Sequence, residues 1–359
     1  MKKVGLQDIK KQNRQVIMRS ILEHGSLSRI EIAQYTQLSP STVTVLVNEI
    51  IEDGLLIESG TSASTGGRKR VELSVNGDFG DICVVDISRK RSTLHIYDMN
   101  LHEQSTIALS NRYISGNDLF IAITSAVLTH YGVEECRKKK LQGFGLLFQE
   151  DIQASECNVM YSTSLSSASI SLKEALVTQF RTTVVEDHTS SYSLFAALDT
   201  SDKTKHNSAH ITIGNSILAS ITIQGKPVPL KSGRFSDITP LLHNIGNDIP
   251  QLPLLEALCK KEPCPSEKAL TPPQSRLLSA FSKQISSIIT LLCTLFPLDI
   301  IFLSGNITKV GGFMGTVREM TSENMAPAPS PDIQVLDAFQ QPISNLLAEK
   351  IRKSVLCTH

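Results

Sequence analysis

The sequence predicts an α/β chain in two parts: a small N-terminal helical domain closed by a basic hairpin, and a larger two-lobed domain of alternating strands and helices. Three observations carry that expectation. Residues 28 to 56, SRIEIAQYTQLSPSTVTVLVNEIIEDGLL, combine helix-start signals with an amphipathic run, and residues 64 to 74, STGGRKRVELS, are glycine-tipped and basic. From about residue 80 onward, apolar strand-like runs alternate with helical ones. The expected boundaries are 1–78 for the first domain, 79–200 for one lobe and 201–359 for the other.

The first domain reads as two short helices, a longer helix and a hairpin. Ser28 and Glu31 have the S-x-x-E spacing that satisfies free amides at a helix start, and that helix turns Ile32, Ala33 and Thr36 inward. After a polar break at Gln37, Ser39 suits an N-cap and Pro40 the first helical position, where a missing amide hydrogen costs nothing. The next helix should run to Gly54, with Val43, Leu46, Val47 and Ile50 forming one buried stripe. Ser41, Thr44, Val45 and Asn48 face away from it. Small polar side chains near a helix start reach base edges and phosphates in a major groove without steric conflict, so this helix is the expected reader of double-stranded DNA.

Leu55 to Ile57 read as a strand, Gly60 to Gly67 as a turn, and Val71 to Leu73 as the returning strand. Arg68 and Arg70 then share a face opposite Val71 and Leu73, leaving their guanidinium groups for phosphate or the minor groove. The order is that of a winged helix-turn-helix. Its expected DNA-binding residues are Ser39, Ser41, Thr42, Thr44, Asn48, Arg68, Lys69 and Arg70.

Composition sets the frame for that reading. Lys plus Arg equals Asp plus Glu at 35 each among 359 residues, so no global field draws the chain to nucleic acid. The positive charge is local: Lys2, Lys3, Lys10, Lys11, Arg14, Arg19 and Arg29 face only Asp8 and Glu23 at the N-terminal end. No signal-peptide core and no membrane-length apolar run is evident, so a cytoplasmic protein without membrane insertion is expected. The seven cysteines form no CxxC pair and read as reduced thiols.

In the larger domain, residues 82–88, 92–99 and 105–110 read as three successive strands, with a turn at Met99-Asn100. A helix in NDLFIAITSAVLTHYG, the strand 142–148, a helix in SLKEALVTQF, the strand 182–188 and a helix through SYSLFAALD follow. The pattern begins again with strands at 209–214 and 216–228. A long helix at 275–296, a strand at 299–305, a helix after Gly311-Gly312 and a last helix in ISNLLAEKIRKSVL complete it. APAPSPD (326–332) reads as a Pro-rich loop, and two related lobes around a cleft are expected.

A winged helix ending in STGGR before such a repeat resembles the ROK family of bacterial repressors and sugar kinases, in particular its N-acetylglucosamine and glucose-responsive repressors. The resemblance covers nearly the whole chain and implies a two-lobed actin-like ATPase fold. It is close in SLSRIEIAQYTQLSPSTVT and STGGRKR and faint beyond them. The family's first phosphate loop, D-I-G-G-T, falls on Asp86-Ile87-Ser88-Arg89-Lys90-Arg91, where both glycines are lost. Its second, G-T-G-I-G-G, falls on Ile213-Gly214-Asn215-Ser216-Ile217-Leu218, and its substrate-loop proline-glycine on Leu147-Phe148-Gln149. Backbone amides cradle phosphate only where no side chain blocks the approach, so no catalytic residue and no cofactor is expected.

The family's sugar-binding N-D falls on Glu186-Asp187, its G-E-I-G-H on Ser236-Asp237-Ile238-Thr239-Pro240, and a sugar-touching glutamate on Glu256. Pro240 replaces a zinc-ligand histidine and the zinc cysteine cluster is missing, so no metal is expected; His243, Cys259 and Cys264 match no common site. Asp187, Asp237 and Glu256 are the candidate effector contacts, with ordinary surface or capping roles as their alternative.

The resemblance implies a non-catalytic regulator of carbohydrate or amino-sugar genes, most simply a repressor. Its partners would be a double-stranded operator and a sugar or sugar-phosphate effector, or a sugar-transport protein in place of the small molecule. A homodimer or homotetramer would place recognition helices on paired half-sites. A sugar kinase with a DNA-binding extension is the alternative.

Overall fold

The computed structural model describes residues 5–62, 70–137, 140–149, 152–162, 167–189, 192, 206–214, 216–230, 236–244, 270–336 and 342–358. The chain divides into two compact units, Met1–Asp187 with Ser344–His359, and His188–Ile343. The lobe boundary expected at residue 200 thus falls at 187, and the last helix belongs with the first unit.

The winged helix opens with α1 (Leu6–His24), which lies upstream of the segment that suggested the domain and is the longest of its three helices. Only two helices occupy residues 28 to 54. The signal for α1 was present in Val16, Ile17, Ile21 and Leu22, of which Ile17 and Ile21 are buried beside Met18. The short strand β1 (Leu27–Ser28) leads into α2 (Arg29–Thr36). Glu31 Oε2 accepts from Ser28 N at 2.8 Å while Ser28 Oγ accepts from Glu31 N at 3.4 Å, which completes the capping box read from the sequence.

Helix α3 (Pro40–Glu52) begins with Ser39 Oγ accepting from Thr42 N at 3.2 Å and buries Val43, Leu46, Val47 and Ile50. It stops two residues short of Gly54, whose φ of +78° turns the chain into Leu55. The wing is an antiparallel pair, β2 (Leu56–Ser62) and β3 (Arg70–Val75), and β1 lies on the other side of β3. Strand β2 therefore runs into the stretch expected as a turn. Leu56, Leu73 and Val75 are buried with the helices' apolar faces.

The rest of the first unit is a sheet in the order β10-β7-β4-β5-β6. The predicted meander is β4 (Asp81–Ile87), β5 (Ser92–Asp98) and β6 (Glu103–Ser110), all antiparallel, and β7 (Leu141–Phe148) lies parallel to β4. Strand alternation sorts the two faces of the sheet. Cys83, Val85 and Ile87 with Phe144, Leu146 and Phe148 meet α4 (Gly116–Arg137) and α5 (Leu172–Phe180) through Leu119, Ile123, Val127, Leu172 and Leu176. Helix α4 kinks at Gly132, where φ is +75°. A small hairpin absent from the sequence reading, β8 (Val159–Ser162) and β9 (Ser167–Ile170), precedes α5, and β10 (Thr183–His188) ends the segment.

In the second unit the sheet order is β13-β12-β11-β15-β16, with β14 beside β12. Strands β11 (Ser208–Ile213), β12 (Ile217–Ile223), β13 (Lys226–Pro227) and β14 (Ser236–Asp237) are followed by the short helix α6 (Thr239–Asn244). Helix α7 (Pro272–Leu295) then leads to β15 (Ile300–Ser304), α8 (Phe313–Met325) and β16 (Asp332–Val335). Strand β16 starts at the end of the stretch read as a Pro-rich loop. Residues Leu278, Phe281, Ile285, Ile288 and Leu292 of α7 recur at helical spacing and close the core over Ala209, Ile211 and Ile213. By length and composition α7 qualifies as a membrane span, contrary to the sequence reading, but this buried stripe makes it a core helix.

Helix α9 (Ile343–Thr358) covers the other face of the first unit's sheet. Two glycines make room for it: a Cβ on Gly143 would stand 2.4 Å from Ile351 Cγ2, and one on Gly145 would stand 2.7 Å from Leu347 Cδ2. Tyr97 and Ser344 hydroxyls are 2.8 Å apart, and burial pushes the Tyr97 hydroxyl up to about 12.

Candidate functional site

The exposed side of α3 is built by its buried one. Because the stripe from Val43 to Ile50 is fixed in the core, Ser41, Thr44, Val45 and Asn48 are held outward, and all four are exposed. Local bonds define what they present. Ser39 Oγ lies 2.9 Å from Ser41 Oγ and 2.8 Å from Thr42 Oγ1, so three hydroxyls cluster at the helix start. Thr44 Oγ1 donates to Pro40 O at 2.8 Å. Thr42 is half-buried within this cluster and is less available than the sequence reading supposed.

Asn48 is held from outside the helix. Arg29 Nη2 donates to Asn48 Oδ1 at 3.0 Å, and Arg29 Nη1 meets Glu58 Oε1 of the wing at 3.2 Å. Sequence reasoning missed this role for Arg29, because its partners stand 19 and 29 residues away. Part of the basic N-terminal cluster is likewise engaged internally: Lys10 Nζ binds Glu49 at 2.8 Å, and Arg14 pairs with Glu49 and Asp53. These contacts bind α1 to the end of α3. Arg68 and Lys69 lie outside the described residues, and Arg70 is placed by its backbone opposite Ser62.

The positions matched to phosphate loops have other occupations. After β4, Ser88 is 6% exposed and its Oγ accepts from Arg91 N at 3.1 Å and from Lys90 N at 3.4 Å, while donating to Arg91 O at 2.7 Å. The turn's own serine thus occupies two of the amides that an anion would need. Arg89 is drawn sideways: its guanidinium stands 4.5 Å from the Tyr113 ring centroid and 2.9 Å from Glu156 Oε2. Glu156 is held below the usual carboxylate range, first by the Gln153 amide and then by Arg89. At the second position Gly214 N donates to Ser216 O at 3.0 Å in a tight turn, although Asn215 lies outside the described residues.

Of the three candidate effector acids, two are described. Asp187, near the end of β10, is 15% exposed at its side chain and accepts from Lys350 Nζ of α9 at 2.8 Å. Asp237 is exposed, and its Oδ1 accepts from Thr239 N at 2.9 Å at the start of α6, which is the capping arrangement weighed against ligand contact. Glu256, Cys259 and Cys264 lie outside the described residues, as does the side chain of His243. Among the described residues no group of three or more His, Cys, Asp or Glu could hold a metal ion.

A further polar group sits inside the second unit. His210 Nε2 lies 2.7 Å from Ser304 Oγ on the neighbouring parallel strand, and complete burial holds this imidazole down to about 4. Ser208, Ser220 and Thr222, on the paired strands β11 and β12, are buried around it.

Comparisons with known proteins bear on both parts. No protein-family model matches the sequence. A ROK family transcriptional regulator described as a homologue of the E. coli MLC protein superposes with a TM-score of 0.64 at 14% identity, covering 97% of each chain. The chain shares that protein's fold. Among curated relatives, the xylose repressor of Caldicellulosiruptor bescii is 35% identical over 79 residues, 22% of this chain and 20% of that protein. The DNA-binding transcriptional dual regulator NagC of Escherichia coli K12 is 34% identical over 98 residues, 27% of this chain and 24% of that protein. These alignments span about a quarter or less of each relative's length.

Proposed function

We propose that this chain is a sequence-specific DNA-binding transcriptional regulator, a repressor of carbohydrate or amino-sugar genes, acting in the cytoplasm. The observation that carries the reading is the face of α3, where Ser41, Thr44, Val45 and Asn48 are held outward by a capped and fully buried opposite stripe. Relatives named as a xylose repressor and as a DNA-binding transcriptional dual regulator support it. The wing residues Arg68, Lys69 and Arg70 supply the phosphate or minor-groove contact, and a homodimer or homotetramer presents two reading helices to a two-fold operator.

The effector domain works without catalysis. Phosphoryl transfer needs amides open to the phosphates, and Ser88 already accepts from two in the turn after β4. An assay of hexose phosphorylation with ATP should give no turnover, and sugar-dependent ADP release at enzymatic rates would overturn this part of the reading. The DNA-binding part is tested by mapping the chain's genomic sites and measuring affinity for the recovered duplexes. Recovery of no enriched sequence would sink it.

A second reading of the controlling signal is favoured by the two described acids. Asp187 already accepts from Lys350, and Asp237 from the Thr239 amide. A sugar would meet acids that are already partly satisfied within the chain, whereas a protein partner, such as a sugar-transport protein, need not use them. A thermal-shift screen with free sugars and sugar phosphates separates the alternatives: a ligand acts only through its differential affinity for the DNA-competent state, so a stabilising sugar that also releases DNA establishes the small-molecule route.

A further inference from the structure

The hydroxyl and amide groups on α3 do not all remain available for reading bases. The Thr44 hydroxyl donates back to Pro40 O, and Ser41 is tied to the Ser39 hydroxyl at the helix start. Between them and Asn48 stands Val45, a branched apolar side chain left 57% exposed in the middle of the face. Exposed apolar side chains are ordinary when scattered, but this one lies one turn from Ser41 and beside Thr44, on the surface that the proposed function sends into the groove.

The orientation of Asn48 follows from chemistry as well as from coordinates. Arg29 can only donate hydrogen bonds, so the atom of Asn48 facing it must be the oxygen, at 3.0 Å. The amide nitrogen is thereby turned away from Arg29. Glu58 holds Arg29 from its other end and keeps this polarity fixed.

Resting on the DNA-binding reading, we infer that the centre of α3 reads thymine: Val45 packs against a C5 methyl group in the major groove while Asn48 Nδ2 donates to an adjacent acceptor. Thymine is the base whose major-groove edge carries both a methyl group and an O4 acceptor. Val45 is then a specificity-determining residue, and Arg29 is a positioning residue that acts through Asn48. Cytosine, which presents an amino donor where thymine has O4, would meet the Asn48 amide donor with a second donor and be rejected.

The test uses the full chain and a duplex selected by it from a random pool. Each thymine of the selected site is replaced singly by deoxyuridine, which deletes the methyl group and leaves base pairing intact. One replacement per half-site should weaken binding by about fourfold, the worth of one buried methyl-sized group, and in Val45→Ala that same replacement should become nearly neutral. Replacing Arg29 by Met should relax discrimination against cytosine at that thymine while leaving the uridine penalty in place. If every uridine replacement is neutral in the natural protein, or if the penalty persists undiminished in Val45→Ala, the inference is overturned while DNA binding stands. Failure of the pool to yield any preferred sequence overturns both.

Discussion

The outward face of α3 and the two sheet-bearing parts of the chain use the same kinds of side chain to opposite ends. In the winged helix, Ser39 Oγ accepts one amide, that of Thr42, and so starts a helix whose Ser41, Thr44 and Asn48 stay in solvent. In the turn after β4, Ser88 Oγ accepts two amides and is itself 6% exposed. In the second unit, His210 is buried among strand hydroxyls. One hydroxyl organises a surface for an outside partner; the others satisfy the chain itself. A side chain's type therefore did not reveal its role, and its burial did.

The largest expected effect tests whether the interior polar groups are as enclosed as this contrast requires. The His210 imidazole is held down to about 4, against an ordinary value of 6.5, so the folded protein keeps it neutral where the unfolded chain protonates it. Its contribution to stability is then complete above about pH 6.5, declines as pH falls toward 4, and flattens below. Between pH 7 and pH 5 the second unit should lose roughly 2 kcal/mol by urea unfolding, and His210→Gln should remove that part of the slope. Identical slopes in the two proteins would mean that His210 is reached by water.

On the winged-helix side, Arg68→Ala should weaken operator binding by about 1–3 kcal/mol without altering the acid response of the second unit. Unchanged affinity in a titration at fixed salt would remove the wing from the interface. A smaller change is expected from Ser39→Ala, which deletes the cap of α3 and should lower winged-helix stability by about 1 kcal/mol in thermal unfolding. If operator binding fell far more than stability, Ser39 would be a DNA contact in its own right and the division between organising and presenting hydroxyls would need redrawing.

What the sequence made legible was what is decided within a few residues. The Ser28–Glu31 box, the Ser39 cap with Pro40, and the 43-46-47-50 stripe depend on spacing alone, and the structure forms each. Most strands of the two sheets were found from alternation and β-branched runs, but β14 and β16 of the second unit were not. The last helix was found but assigned to the wrong unit. Its neighbours are fixed by Gly143 and Gly145, about two hundred residues earlier in the chain, where only a missing Cβ allows its approach. Lys350 on Asp187 and Arg29 on Asn48 escaped for the same reason: each contact pairs residues with no local periodicity to link them. The candidate acids illustrate the limit. Their carboxylates were placed by a family pattern; that Asp187 faces Lys350 is visible only in the tertiary structure, whereas Asp237 accepts from an amide two residues on, the local capping role that the sequence offered as the alternative.

The smallest expected effect concerns the turn after β4, where Arg89 is turned away from the turn toward Glu156 and Tyr113. Both ends of this pair are well exposed, so solvent screens it and Arg89→Ala should change stability by no more than a few tenths of a kcal/mol. The informative readout is the carboxylate. Glu156 is lowered from 4.5 first by the Gln153 amide and then by Arg89, so its titration midpoint in an NMR series should rise in Arg89→Ala yet stay below 4.5. A group lowered in this way contributes stability above its unfolded value and loses it as pH falls through the folded one, which confines any effect on the Ser88 turn to strongly acidic solution. If the midpoint does not move, Glu156 is not what holds Arg89, and the Tyr113 ring is left as its partner. The contrast between an inward-satisfied turn and an outward-facing helix would then weaken at the Ser88 turn.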